Sequence, residues 1–305
     1  MGIVIKGTGM YVPDRILTNA DLEKMVETSD EWITTRTGIK QRHIADKGVA
    51  TSDLAYEAAK RALDMAGVSP EELDLITVAT VTPDKMFPNT AALVQRKLGA
   101  KACPCFDIEA ACSGLLYSLE VGHSIMTAHK NYKKALVIGG EKLSSIVDWT
   151  DRSTCVLFGD GADGNYGDIL HLPAGGSAMP ASHESVDGKL HFIKMGGQET
   201  FKLAVTNMSN ACKEVLANAG IAPDQVSWVI PHQANHRIIS AVAQRLTVPE
   251  DRVYVNIMRY GNTSSASIGI CLDELNRAGK LKRGDYVLLT AFGGGLTWGA
   301  QLIRW

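Results

Sequence analysis

The run Asp107-Ile108-Glu109-Ala110-Ala111-Cys112-Ser113-Gly114-Leu115-Leu116-Tyr117 holds the end of a strand, a turn of small residues and the start of a helix. Just upstream, Cys105-Phe106-Asp107-Ile108 is an extended apolar stretch; downstream, Leu115, Leu116, Leu119 and Val121 fall at mixed helical spacing. A thiol in such a turn faces the positive end of the helix dipole, which favours thiolate over thiol. That makes a cysteine nucleophilic at neutral pH without a metal. The same pattern also suits a small buried hydrophobe, the commoner fate of a free cysteine. The local sequence leaves both readings open.

The plan around Cys112 recurs in the second half of the chain. Asp74–Thr80 and Ser227–His232 read as apolar strands, of the kind buried on both faces of a sheet. Each precedes a helical segment (Ala91–Leu98 and Ile238–Leu246) and then a short strand (Cys105–Ile108 and Val253–Asn256). Next comes a small-residue turn, Ala111-Cys112-Ser113-Gly114 or Gly261-Asn262-Thr263-Ser264-Ser265-Ala266, a helix, and a strong strand at Ala135–Gly140 or Tyr286–Ala291. Thr80 and His232, Cys112 and Ser264, and Gly139 and Ala291 are each 152 positions apart. A common offset at three anchors indicates a duplicated β-α-β-α-β unit. Amphipathic segments Ser52–Ala66 and Thr206–Ala219 precede the two units, each followed by a proline-containing loop. The halves divide at 1–172 and 173–305. Cys112, His232 and Asn262 then occupy strand ends and helix starts, where α/β sheets carry their chemistry.

Composition sets limits on this reading. With 305 residues, 45% of them hydrophobic, and a net charge of −2, the chain has the profile of a soluble globular protein with a large core. No global basicity points to nucleic acid. No stretch approaches the roughly 18 apolar residues of a membrane helix, and the apolar run at the N-terminus is too short for a signal peptide. A cytoplasmic location is the expectation. Six cysteines lack any disulfide or zinc-site spacing; Cys103-Pro104-Cys105 is the one close pair. Free thiols and no metal are expected.

Four motifs in order carry a family resemblance: Asp107–Gly114, Pro231-His232-Gln233-Ala234-Asn235, Tyr260-Gly261-Asn262-Thr263-Ser264 and Gly293-Gly294-Gly295-Leu296-Thr297-Trp298-Gly299. They resemble the β-ketoacyl-acyl-carrier-protein synthase III family, the initiating ketosynthases of bacterial fatty-acid synthesis in the thiolase-like superfamily. The likeness runs from a first strand at Gly7–Pro13 to Trp305. It implies an α/β, thiolase-like, five-layered α-β-α-β-α fold of two duplicated halves, working as a homodimer. It also implies a decarboxylative Claisen condensation of acetyl-CoA, or another short acyl-CoA, with malonyl-acyl carrier protein. No cofactor is implied beyond the coenzyme A thioester itself. Cys112 would be acylated, and His232 and Asn262 would donate hydrogen bonds to the malonyl thioester oxygen as decarboxylation builds charge there. The backbone N–H groups of Cys112 and Gly294 would hold the tetrahedral oxyanion. Singly, each feature has a plainer reading: a packed histidine, a turn-forming asparagine, a flexible glycine loop. No Lys-Ser/Thr follows the glycines to make a P-loop.

The resemblance extends to substrate contacts. In Glu31-Trp32-Ile33-Thr34-Thr35-Arg36-Thr37-Gly38-Ile39, Trp32 would sandwich an adenine with Arg152, and Arg36 and Thr37 would serve the nucleotide and its phosphate. Gly197, Phe201, Ala234 and Asn235 would line the pantetheine channel. Phe87 would close the acyl pocket across the dimer interface. Lys202, Arg237 and Arg245 would form a basic rim for the acidic carrier protein, although a solvated helix face explains Arg245 as well. Asn262 in place of a second histidine separates the chain from elongating ketosynthases. No cysteine in Gly293–Trp298 matches the second one of degradative thiolases. Cys-His-Asn enzymes of secondary metabolism and a non-catalytic carrier-protein-binding partner are the alternatives. One departure stands out. After Phe158-Gly159-Asp160-Gly161-Ala162 the family continues into a further strand, the counterpart of Gly299–Arg304, whereas here Ala162 joins Asp163 directly. Roughly 20 residues, the length of a strand-turn-strand unit, are expected to be missing between Ala162 and Asp163.

Overall fold

A computed structural model describes residues 3–160 and 170–305, so the inferred gap between Ala162 and Asp163 lies outside the described residues. From the N-terminus, β1 (Ile16–Thr18) is followed by α1 (Asn19–Leu22), α2 (Asp30–Thr37) and β2 (Gln41–His43). Then come α3 (Thr51–Ala66), β3 (Leu75–Ala79), α4 (Thr90–Leu98), β4 (Cys105–Ile108), α5 (Gly114–Ala128), β5 (Ala135–Gly139) and α6 (Arg152–Cys155). Past the undescribed stretch lie β6 (Leu170–His171), α7 (His183–Asp187), β7 (Lys194–Met195), α8 (Gly197–Ala219), β8 (Val226–Pro231) and α9 (His236–Leu246). The chain ends in α10 (Ile257–Tyr260), α11 (Ala266–Arg277), β9 (Tyr286–Gly293) and β10 (Thr297–Arg304).

Two three-stranded sheets, β4-β3-β5 and β10-β9-β8, organise the core. The first is parallel throughout; in the second β8 runs parallel to β9 and β10 antiparallel. Ala79 pairs with Gly139 and Pro231 with Thr290, so the two sheets repeat to within one residue of register, the slip accompanying a bulge at Val226/Trp228. Both sheets pack on α5 and α11 in the middle, α3 and α4 cover the outer face of the first, and α8 and α9 that of the second. This is the expected five-layered order. β3 is buried at every position, as a strand covered on both faces must be. Leu115, Leu116, Ile268 and Leu272 from the central helices meet Ile230, Leu289 and Ala291 from the second sheet in one apolar cluster.

Helix α4 begins where the sequence offers a cap. Asn89 Oδ1 accepts from Ala92 N–H at 2.7 Å, and the Asp107 carboxylate on β4 accepts from Thr90 and Ala91 N–H at 2.7 and 2.8 Å. β4 and α4 are thus tied before any side-chain packing is considered.

Two expected strands are absent. Val253–Asn256 makes a single bridge, Val229 to Val253, instead of a strand. The Gln233 side chain captures the backbone that a ladder would need: its Oε1 accepts from Asn256 and Ile257 N–H, and its Nε2 donates to Tyr254 O. Gly7–Pro13 likewise forms no strand. It lies instead against α3, so close that a Cβ on Gly7 would stand 2.5 Å from Ala62 O, and Thr8 Oγ1 donates to Asp273 on α11 at 2.7 Å. β5 is an edge of its sheet among the described residues, whereas its counterpart β9 is flanked by β10.

Candidate active site

Cys112 sits in a one-turn 3-10 helix, Ala111–Ser113, that runs directly into α5. It is buried. Ala111 before it takes a φ of 51°, a left-handed conformation that costs a non-glycine residue about 1–3 kcal/mol. Gly293, ending β9, lies against this turn. A Cβ there would stand 2.5 Å from the Cys112 backbone nitrogen and 3.0 Å from its Cβ, so only glycine allows the approach. The Thr297 hydroxyl lies 2.9 Å from Ala110 O and 3.0 Å from Gly294 O, tying the cysteine turn to the glycine loop.

His232 follows β8, and its N–H donates to Thr290 O at 2.8 Å. The ring is buried, and burial pulls its pKa down to about 3, so it is neutral at physiological pH. Nδ1 lies 2.7 Å from Ser267 Oγ on α11, while Nε2 is buried with no protein partner among the described residues. Asn262 lies on the loop before that helix. Its N–H donates to Leu157 O at 3.1 Å and its carbonyl accepts from Gly159 N–H at 3.2 Å. Ser264 N–H donates to its Oδ1 at 3.0 Å, which orients the amide and leaves the NH₂ end to donate.

These turns converge because the two central helices begin side by side. Ser265 Oγ donates to Ala79 O at 3.2 Å, and a Cβ on Gly114 would lie 3.6 Å from that of Ser265. Cys112 and Asn262 each precede one of these helix starts, Gly293 touches Cys112, and His232 reaches the Asn262 helix through Ser267. Cys112, His232, Asn262 and Gly294 therefore lie around one locus.

Sequence reasoning missed the residues that hold this locus. Gln233 is buried with all four amide positions used: besides the three bonds above, its Nε2 donates to Pro231 O at 2.7 Å. Ser267 extends the small polar run Asn262–Ser265, a signal available in the sequence. Arg42 had none. Fully buried, it donates to Asn19 Oδ1 at 2.6 Å and to Val156 O, and so braces the segment that pairs with Asn262. Burial lowers its pKa to about 10, which leaves it charged. Glu141, also buried, accepts from Val81 and Thr82 N–H at 2.8 Å and from the hydroxyls of Thr80 and Thr82.

Of the residues expected to bind coenzyme A, Trp32, Arg36 and Thr37 lie on α2, and Arg152 and Asn235 contact it. Asn235, the N-cap of α9, donates through Nδ2 to Arg36 O at 3.0 Å, and Gly38 ends α2 against His236. Arg152 lies over the Trp32 ring, 4.9 Å from its centroid, and Arg36 lies 5.9 Å away. An adenine between Trp32 and Arg152 needs about 7 Å, two contact distances, so the pair is already in direct contact. Thr37 is placed differently from expectation. It is buried, its hydroxyl donating to Ile33 O at 2.7 Å and accepting from Ile39 N–H at 3.0 Å, which closes the end of α2 rather than facing a phosphate. Arg237 covers the Phe201 ring at 5.4 Å. Gly197 and Lys202 line a cleft with Glu199 and Leu203, and Ala234 is half-buried beside Asn235. Arg245 is exposed on α9 and donates to Thr206 at 3.2 Å. Phe87 is 85% exposed. No helix among the described residues is long and apolar enough to cross a membrane.

Comparison with known proteins finds similarity along the whole chain. The family described as 3-oxoacyl-[acyl-carrier-protein] synthase III matches residues 106–165, and its C-terminal region matches 216–305. The chain is 53% identical over 322 aligned positions to the beta-ketoacyl-[acyl-carrier-protein] synthase III of Caldanaerobacter subterraneus, covering 99% of this chain and 97% of the relative. It is 55% identical over 314 positions to that of Aquifex aeolicus, covering all of both. Both alignments are longer than the 305-residue chain, so these relatives carry residues with no counterpart here. The crystal structure of the Aquifex aeolicus enzyme superposes with a TM-score of 0.88 at 52% identity, covering 99% of each chain. A priming β-ketosynthase of a polyketide pathway superposes at 0.87 with 31% identity, covering 98% of this chain and 96% of the other.

Proposed function

Since the chain belongs to the 3-oxoacyl-[acyl-carrier-protein] synthase III family, the condensing acyltransferases that initiate fatty-acid synthesis, we propose that its chemistry runs through Cys112, His232 and Asn262. The Cys112 thiolate, at the positive end of α5, attacks the thioester carbonyl of acetyl-CoA or another short acyl-CoA. The oxyanion is held by the backbone N–H groups of Cys112 and Gly294 and collapses to expel the coenzyme A thiolate. Malonyl-acyl carrier protein then places its thioester oxygen against the ring N–H of His232 and the amide of Asn262. Loss of carbon dioxide leaves an enolate whose oxygen these donors stabilise. The enolate carbon attacks the acyl-Cys112 carbonyl, forming the carbon–carbon bond and releasing the cysteine thiolate with the 3-oxoacyl product.

One observation carries this reading. His232 and Asn262 both reach the Cys112 locus as neutral donors, one by burial, the other because Ser264 occupies its acceptor end. A charged imidazolium is not needed to stabilise the enolate, and a neutral ring spares the site the burial of an unpaired charge. Trp32, Arg36, Arg152, Gly197, Phe201, Ala234 and Asn235 would take the coenzyme, and Lys202, Arg237 and Arg245 the carrier protein. Phe87, exposed on its own protomer, would meet the acyl group of a partner in a homodimer. The identity to beta-ketoacyl-[acyl-carrier-protein] synthases III, 53–55%, against 31% to the polyketide priming enzyme, favours fatty-acid synthesis over secondary metabolism.

Intact-mass analysis after incubation with acetyl-CoA tests the assignment. An adduct of about 42 Da, the acetyl increment of covalent catalysis, is expected on the native protein and on His232→Ala and Asn262→Ala. It should be absent in Cys112→Ala. Decarboxylation of malonyl-acyl carrier protein should fall in both donor variants. No adduct with any short acyl-CoA would favour a non-catalytic carrier-protein partner.

A further inference from the structure

The Ser267 hydroxyl has an unassigned position between the catalytic histidine and the backbone. It lies in the first turn of α11, 1% exposed, with Oγ 2.7 Å from His232 Nδ1. The adjacent Gln233 N–H points at the same oxygen from 3.4 Å. Ser267 N–H is used within the turn, donating to Ser264 O at 3.0 Å.

Two tautomers of a neutral His232 fit a 2.7 Å contact, and the surroundings choose between them. If Nδ1 carried the proton, the serine oxygen would accept from both Nδ1–H and Gln233 N–H. Its own buried proton would then have no acceptor among the described residues. If instead the hydroxyl donates to Nδ1, every group is used: the oxygen accepts from Gln233 N–H, Nδ1 accepts, and the proton resides on Nε2. Nε2 is the buried ring atom with no protein partner, the one available to substrate.

We propose that Ser267 is a positioning residue for condensation: by donating to Nδ1 it fixes His232 as the Nε2–H tautomer that donates to the malonyl thioester oxygen. This rests on the assignment of His232 as a donor given above. Cys112 lies outside the contact, so acylation and decarboxylation separate. Without the serine proton, Nδ1 competes for the single ring proton, and the donor facing the substrate is lost in part of the population.

The test uses the full-length enzyme and its Ser267→Ala and Ser267→Thr variants, with ¹⁵N-histidine labelling to read the His232 tautomer. The native ring should show an acceptor-type Nδ1 and a protonated Nε2, and Ser267→Ala a mixed or reversed pattern. Decarboxylation of malonyl-acyl carrier protein should fall about 10-fold or more in Ser267→Ala, the effect of one lost buried hydrogen bond, and recover in Ser267→Thr, which keeps the hydroxyl. Acetylation of Cys112 by acetyl-CoA should proceed in both variants and shows that they are folded. A pure Nε2–H tautomer in Ser267→Ala, or an unchanged decarboxylation rate, overturns the proposal. If His232→Ala itself retains decarboxylation, the donor assignment fails instead, and the two failures are distinct.

Discussion

Burial without a charged partner decides how His232 behaves. Its folded pKa of about 3 lies below the ordinary 6.5, so the folded protein binds fewer protons there than the unfolded chain. The stability attached to the neutral ring is intact above about pH 6.5 and is lost as pH falls through that value toward 3. Denaturant unfolding of the native protein and His232→Gln should therefore converge, or cross, as the buffer is taken from pH 7 to pH 4. Glu141 has the opposite sign. Burial raises its carboxyl from 4.5 to about 8, so its contribution is complete below 4.5 and lost as pH rises through 8. Glu141→Gln should gain stability relative to the native protein between pH 5 and pH 8 in the same assay; a constant difference would contradict the assignment. The histidine was legible in the sequence because a motif surrounds it. The glutamate and Ser267 were not, since their partners come from other elements and the match between them is visible only in space.

At the scale of elements, the site depends on how closely β9 approaches the turn before α5. Gly293→Ala forces a carbon to within 2.5 Å of the Cys112 backbone nitrogen, so one of the two backbones must shift. The expected result is a loss of Cys112 acetylation of at least about 100-fold, comparable to deleting an oxyanion donor. Gly176→Ala, with nothing within 4 Å of its added carbon, should leave acetylation unchanged. The strands and helices of the duplicated unit were readable from hydrophobic period and offset, and β3, α4, β4, β5, β8 and α9 lie where expected. Val253–Asn256 was not readable. Its composition suits a strand, but the buried Gln233 amide satisfies its backbone, a tertiary choice that local pattern cannot register.

Across the whole molecule, Arg42 connects parts that the duplicated unit does not include. Through Asn19, whose amide donates to Asp30 Oδ1 at 2.7 Å and to Ile39 O at 2.9 Å, it joins both ends of α2 to the segment beside Asn262. Arg42→Ala should cost about 2–5 kcal/mol, from the cavity and the acceptors left unpaired. It should also weaken acyl-CoA binding more than an equally destabilising change in the outer layers, such as Leu63→Ala on α3. Arg42→Lys should not rescue it, since one ammonium does not span two acceptors as a guanidinium fork does. Unfolding curves and acyl-CoA titrations of the three variants check this.

The contact of Arg152 with Trp32 has a bearing on traffic through the site. A planar ring could stack on the covered face of that indole only by displacing the guanidinium, which also donates to Glu27 O at 3.0 Å. An exposed cation–π pair of about 0.5–1 kcal/mol would therefore compete with any such ring and weaken its stacking by roughly two- to fivefold.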